Sequence, residues 1–338
     1  MFQRPPQLAK ALSKKNCLVF YNYKFPTKNF FTGFYEVLAN CYITFRLDLV
    51  LELERKKIFY TVSYDTSTSF DFVSKLIDKG NIVIYDYLDE IHPDINQIEI
   101  DINKIEKHNK ILKDERFIVL ATAEKLYGEV EKFRQNKKYL IPNAADLEHF
   151  SQKRNIQFTS EFTFILNKNK PIIGYYGTIA KWIDFELLIY LAKQRKEYEF
   201  VMIGLIGDNS IYDYDFSQIK NLTFHQPVNY QDLPSYANKF DICIIPFRKY
   251  SVTEATSPIK LFEYMAMSKP IVSTDLTECK KYESVLIAES FEEFAEMVDY
   301  GLKLKSDDIY FKKMKNEAKE NSWNMRAERI LEIISGEI

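Results

Sequence analysis

Ile172-Ile173-Gly174-Tyr175-Tyr176-Gly177-Thr178-Ile179-Ala180-Lys181-Trp182-Ile183-Asp184 is an apolar run that ends in a glycine and passes through a short loop to an aspartate suited to start a helix. A strand handed to a helix through such a turn lets backbone approach a phosphate closely at Gly177. The turn falls at the strand edge where open α/β sheets bind ligands. Turn geometry alone also accounts for one glycine at this place. The three-glycine dinucleotide fingerprint is absent, which argues against a hydride-transfer enzyme.

Working outward, the pattern repeats. Short apolar runs at Ile172 to Tyr176, Glu199 to Ile203, Leu222 to His225, Ile242 to Pro246, Pro270 to Ser273 and Val285 to Ala288 alternate with helical periodicity. That alternation predicts a parallel sheet covered by helices. The first half repeats it more loosely, with strands expected at Cys17 to Tyr21, Lys57 to Val62, Asn81 to Tyr85, Phe117 to Ala121 and Lys138 to Ile141. A polar stretch from Ser151 to Lys170 without a strong core pattern separates the halves, and the hinge is expected there. The chain opens on Gln3-Arg4-Pro5-Pro6-Gln7-Leu8-Ala9, which reads as a helix start where a doubly wound domain would open on a strand. A first strand missing or replaced is the expectation.

The second half holds a further anion-binding candidate, Ser257-Pro258-Ile259-Lys260-Leu261-Phe262-Glu263-Tyr264-Met265-Ala266. Ser257 suits an N-cap and Pro258 a first helical position, so the free N–H groups of a helix start would meet an anion beside Lys260. Glu263, one turn on, lies on about the same face and could accept hydrogen bonds from ribose hydroxyls. An ordinary capped helix with an ion pair three residues apart fits the same letters. Pro227 and Val228, ending a strand, could read a base edge. Arg248 stands in the polar loop that leads to Thr256, and either of these segments fits a plain loop too.

Bulk composition narrows the classes. A chain of 338 residues with 46% hydrophobic content supports two packed cores. Basic and acidic residues number 46 and 48, so no overall field steers the chain to nucleic acid. Cys17, Cys41, Cys243 and Cys279 lack the paired spacing of a zinc site and read as buried free thiols in a reducing compartment. No apolar stretch reaches the ~20 residues of a membrane span and no leader pattern is visible. A soluble, cytoplasmic protein is expected, without a metal. Arg4, Lys10, Lys14 and Lys15 form a basic cluster that could meet anionic lipid, or simply a solvated helix face.

The ordered pieces together resemble the donor domain of GT-B glycosyltransferases, in the mostly retaining group related to bacterial polysaccharide and lipopolysaccharide transferases (glycosyl transferases group 1). They are Gly174-Tyr175-Tyr176-Gly177, an aspartate-led helix, Phe200-Val201-Met202-Ile203-Gly204, Pro227-Val228, Asp232-Leu233-Pro234, Asp241 before Ile244-Ile245-Pro246-Phe247, Ser257 to Tyr264, and Lys269-Pro270-Ile271-Val272. The likeness runs over 171–276. Arg4 to Ala9, Asp86-Tyr87-Leu88-Asp89 and Ile141 to Asp146 resemble parts of the acceptor domain, and Trp323 to Ala327 the terminal helix that crosses back.

The resemblance implies an α/β protein of two Rossmann-like domains facing across a cleft. An N-terminal acceptor-binding domain would span 1–150, a linker 151–170, a donor-binding domain 171–315, and a helix at 316–338 would pack back on the first domain. It implies transfer of a hexose from a nucleotide-diphosphate sugar, with retention of configuration, to a glycan or lipid-linked acceptor in cell-surface polysaccharide synthesis. Peripheral contact with the cytoplasmic face of the inner membrane would follow, and no cofactor.

Glu263 would hold the donor ribose. Lys260 and the helix start at Ser257, Pro258 and Ile259 would hold the diphosphate, Gly177 and Thr178 would line the phosphate loop, and Pro227 and Val228 would lie near the base. Lys181 and Arg248 are candidates for the family's basic pair. The family's two glutamates stand seven apart, whereas here Ala255 takes the first position and Glu254 is offset by one. On the acceptor side Asp86, Asp89, Glu90 and His92 cluster after a strand, and Asp89 and His92, with Glu263 of the donor side, are the catalytic candidates. His108 is expected in solvent, and His149 could point into the cleft. A nucleotide-sugar epimerase and a non-catalytic sugar-nucleotide-binding subunit are the rival readings.

Overall fold

The computed structural model describes residues 3–22, 33–96, 101–152 and 154–337. Its strands in chain order are β1 (Val19–Asn22), β2 (Phe34–Leu38), β3 (Cys41–Thr44), β4 (Ile58–Val62), β5 (Ile82–Tyr87), β6 (Ile118–Ala121), β7 (Lys138–Leu140), β8 (Ile172–Tyr176), β9 (Glu199–Ile203), β10 (Leu222–His225), β11 (Ile242–Ile245), β12 (Ile271–Thr274) and β13 (Val285–Ala288).

In the C-terminal lobe the strands lie in the order β10-β9-β8-β11-β12-β13, every pair parallel. Each residue of β8, β9 and β11 is buried, as expected of strands covered on both faces, and this is why they read as continuous apolar runs. From β8 the chain builds outward through β9 and β10, then returns to β11 on the other side of β8. The order therefore reverses between β8 and β11, and the loops leaving these two strands flank the crevice where such sheets take ligands.

The N-terminal lobe holds a parallel sheet β4-β5-β6-β7 and a smaller sheet β1-β3-β2, in which β2 runs antiparallel to β3. Strands β2 and β3 escaped the sequence reading. Four of the five residues of β2 are exposed, so no buried face marks it, and its turn to β3 uses Asn40 at φ 63°. The foreseen strand at Cys17 starts two residues later, at Val19.

Several further expectations are corrected. The stretch 151–170 is not merely polar connection: Thr159 caps a helix, Ser160–Asn167, that buries Phe162 and Ile165 in the C-terminal core. His108 is buried on the helix Ile102–Lys113, its Nδ1 2.7 Å from the Tyr85 hydroxyl, because the helix turns that face onto β5. Burial lowers its pKa to about 4. Cys17 is half-buried, whereas Cys41, Cys243 and Cys279 are buried as expected, and all four are free thiols.

Of the basic cluster, Arg4 is withdrawn from the surface and the three lysines enter ion pairs. Arg4 is buried and grips Asp86, Nε to Oδ2 at 2.6 Å and Nη2 to Oδ1 at 3.2 Å, with the Tyr60 hydroxyl donating to the same carboxylate. Lys10 pairs with Asp146 at 2.5 Å, Lys14 with Glu148 at 2.9 Å, and Lys15 with Glu328. Lys14 and Lys15 stay partly exposed in these surface pairs.

The terminal helix Trp323–Ser335 lays Trp323, Ala327, Ile330, Ile333 and Ile334 against Leu8 and Ala11 of the first helix, Arg4–Ser13, and against Ile84, Ile118 and Leu120. The periodic apolar stripe thus closes the N-terminal lobe's core from the far end of the chain. No helix among the described residues is long and apolar enough to cross a membrane.

Candidate functional site

The crevice is built by two loops and one helix start. After β8, Gly177 adopts φ +141° and donates its N–H to the Ile203 carbonyl at 2.9 Å. A Cβ there would stand 2.1 Å from Cε of Lys260 and 2.7 Å from its Nζ, so only glycine lets the lysine lie along the loop. Gly204, at the end of β9, is just as constrained, since a Cβ would meet the Gly177 carbonyl oxygen at 1.8 Å. The Thr178 carbonyl accepts from the Tyr175 hydroxyl at 3.0 Å and from Trp182 Nε1 at 3.3 Å, which fixes the loop from within.

The helix Ile259–Ala266 starts at this loop. Pro258 is its N-cap and no side chain caps it, so its first N–H groups face the crevice uncovered by a capping oxygen. Ser257, expected as the cap, instead accepts the Asn143 N–H on Oγ at 3.2 Å, and its carbonyl accepts from Asn143 Nδ2 at 2.7 Å. Lys260 sits over two rings, 5.3 Å from Tyr175 and 5.7 Å from Phe247. Burial lowers its pKa and the charge of Glu263 opposes that shift. Glu263 is buried, and burial raises its carboxyl to about 7 against the pull of Tyr176 and Lys260. The arrangement is a half-buried cation and uncapped amides beside a carboxyl, drawn close together by two glycines, and its chemistry suits a diphosphate attached to a hydroxyl-bearing ring.

The other candidates are distributed unevenly. Pro227 is exposed and Val228 half-buried at the end of β10. Arg248 is exposed, its N–H bonded to the Trp182 carbonyl at 2.8 Å. Lys181 does not turn to Lys260: its ammonium reaches across the cleft to Asp94 Oδ1 at 2.5 Å, while its N–H is held by Asp208 Oδ2 at 3.0 Å. Ala255 is buried against the core of the N-terminal lobe, and Glu254 accepts the Thr277 hydroxyl at 2.6 Å.

On the N-terminal lobe Asp86 is committed to Arg4 and is structural, which removes it from the acceptor cluster. Asp89 follows β5, and burial, with Asp86 next, raises it to about 6. His92 is partly exposed and takes the Asp94 N–H on Nδ1 at 3.2 Å. Glu90 accepts the Ser251 hydroxyl, at 2.7 Å to Oε2, and pairs with Lys125 at 3.2 Å. His149 packs flat on Tyr230, ring centres 4.1 Å apart, so it is spent on the joint between the lobes. A cavity of about 680 Å³ opens in the same lobe, walled by Asp65, Ser67, Thr68, Phe70, Lys104 and Lys107 among others. The sequence reading missed this cavity, and also missed Asn143 and Asp94 as partners of the donor side. Among the described residues no group of three or more His, Cys, Asp or Glu side chains could hold a metal ion.

Residues 170–303, from the start of the C-terminal sheet to the helix Phe291–Lys303, match the family model for glycosyl transferases group 1. The chain carries a glycosyl transferases group 1 domain. Over 222 residues it is 23% identical to TuaH of Bacillus subtilis (strain 168), a protein named as a teichuronic acid biosynthesis glycosyltransferase. That match takes in 63% of this chain and 55% of the relative, so the chain spans about half the length of the curated relative it matches.

Among solved structures, the trehalose-6-phosphate synthase OtsA superposes with a TM-score of 0.70 at 12% identity, covering 97% of this chain and 93% of OtsA. WaaG, a glycosyltransferase involved in lipopolysaccharide biosynthesis, gives 0.61 at 11% identity over 98% and 94%. Anabaena HepE in complex with UDP gives 0.63 at 14% identity over 86% and 80%. At such identities the likeness is one of fold. The fold is GT-B, with the sheets of two α/β lobes and a terminal helix that returns to the first.

Proposed function

We propose that the protein is a glycosyltransferase that moves a hexose from a nucleotide-diphosphate sugar to a glycan or lipid-linked acceptor in cell-surface polysaccharide biosynthesis, with retention of configuration. The observation that carries the reading is the cradle made by Gly177, Lys260 and the uncapped start of the helix Ile259–Ala266 at the switch point of the C-terminal sheet. The solved complexes support it, since HepE was crystallised with UDP and with UDP-glucose.

In this reading the amides of Ile259 and Lys260 and the Lys260 ammonium neutralise the diphosphate as it leaves, and Glu263 accepts hydrogen bonds from the ribose. Gly177 and Thr178 let the loop close on the phosphates, and Pro227 and Val228 border the base. Arg248 lies at the crevice rim. Positioning and electrostatics then supply most of the rate. Asp89 and His92, on the facing lobe, are the groups proposed to meet the acceptor hydroxyl, and the cavity beside Lys104 and Lys107 is proposed to receive the rest of the acceptor. A cytoplasmic site of action fits a donor made in the cytoplasm.

A thermal-shift screen of free nucleotides and nucleotide sugars tests this, because a ligand that binds only the folded state raises the melting temperature. A nucleoside diphosphate should raise Tm in the wild type and not in Lys260→Ala. A shift that survives in Lys260→Ala places the nucleotide elsewhere and overturns the reading.

A further inference from the structure

Lys181 lies on the same loop as Gly177, four residues on, yet its ammonium is held by a carboxylate of the other lobe, Asp94 Oδ1 at 2.5 Å. The surroundings make this an organised contact. Asp208 fixes the Lys181 backbone at 3.0 Å, and the Asp94 N–H is bonded to His92 Nδ1 at 3.2 Å in the short helix Pro93–Asn96. The half-buried Tyr250 faces the same carboxylate, its phenol pushed up to about 12 first by burial and then by Asp94. A cation beside the glycine loop is therefore matched by a carboxylate of the facing lobe, with the Asp208 carboxylate of its own lobe also near it.

We propose that Asp94 stands in for the donor's diphosphate: in the donor-free protein it occupies Lys181, and an incoming diphosphate displaces it. Resting on the donor-site reading above, the inference adds a residue of the facing lobe that sets donor affinity. A diphosphate carries more charge than one carboxylate and has Lys260 as a second cation, so it wins Lys181 by exchange. The exchange frees one of the contacts that join the lobes. Other contacts across the cleft, such as Lys125 to Ser251 Oγ at 2.6 Å, leave Lys181 untouched and remain.

The test is calorimetric titration with inorganic pyrophosphate and with UDP, on wild type and on Asp94→Asn, Lys125→Ala, Lys181→Ala and the Asp94→Asn/Lys181→Ala double variant. With Lys181 and Asp94 both partly exposed, the competing pair is a modest one, and Asp94→Asn should tighten both ligands about two- to fivefold at low salt. The gain should shrink at high salt and vanish in the double variant. Lys125→Ala, which loosens the lobes without freeing Lys181, should not tighten pyrophosphate. Unchanged or weaker binding by Asp94→Asn overturns the inference and leaves the donor site standing, as does an equal gain in Lys125→Ala. No binding of either ligand by any of the variants or the wild type overturns the donor site itself.

Discussion

At the scale of single residues, Glu263 shows what burying a carboxyl costs. Its ordinary value is 4.5, and burial holds it near 7 in the folded protein. The folded state therefore keeps a proton that the unfolded chain releases, and stability falls as pH rises from about 4.5 to about 7, then levels off. Glu263→Gln removes the titration. We expect the variant to match the wild type at pH 5 and to be more stable than it at pH 8, by about 2 kcal/mol, while nucleotide affinity drops. Urea unfolding at both pH values measures this; an equal difference at the two would mean that the carboxyl does not titrate in that window. His108 acts in the opposite sense. Its value falls to about 4, so the stability it lends is complete above 6.5 and is lost as pH falls through 4.

At the scale of elements, the loop after β8 depends on two glycines meeting across β8 and β9. An alanine at Gly204 would put its Cβ 1.8 Å from the Gly177 carbonyl oxygen, which is backbone and cannot swing aside. We expect Gly204→Ala to lose about 1–3 kcal/mol of stability and to weaken UDP binding, because the displaced loop carries Gly177 off Lys260. Gly128 is the contrast. It lies in the helix Glu124–Glu131 with nothing within 4 Å of an added Cβ, so Gly128→Ala should gain about 0.4–1 kcal/mol. Melting curves of the pair check both signs.

The same elements show what could be read from the letters alone. The central strands β8, β9 and β11 were legible because burial on both faces makes them largely apolar runs, and Asp184 was legible as a helix start because its side chain caps locally, accepting the Leu187 N–H at 2.9 Å. The exposed β2 has no such signature. Ser257 carried a misleading one: its side chain is drawn from the cap by Asn143, 114 residues away in sequence. Lys181 was picked out as a cation near the loop, but its carboxylate partner sits 87 residues upstream on the other lobe, where no spacing rule reaches.

At the scale of the whole molecule, the segment Pro142 to Ala145 ties three distant parts together. The Pro142 carbonyl accepts from Arg4 at 3.0 Å and from Arg326 at 2.9 Å, Asn143 holds Ser257, and Ala145 pairs with Ser322 and Trp323 at the start of the terminal helix. The terminal helix is thus a clamp between lobes, and its loss should be felt in both. The chain has two tryptophans, Trp323 in the clamp and Trp182 in the C-terminal lobe beside the glycine loop. Trp323→Ala leaves Trp182 as the lone indole and opens a cavity under Arg4 and the first helix, with an expected loss of about 3–5 kcal/mol. If the clamp couples the lobes, Trp182 fluorescence will report unfolding at lower urea together with the far-UV signal, and Trp323→Phe will recover most of the midpoint. If the Trp182 transition keeps its wild-type midpoint while the far-UV signal splits into two steps, the lobes unfold independently, and the terminal helix serves the N-terminal core alone.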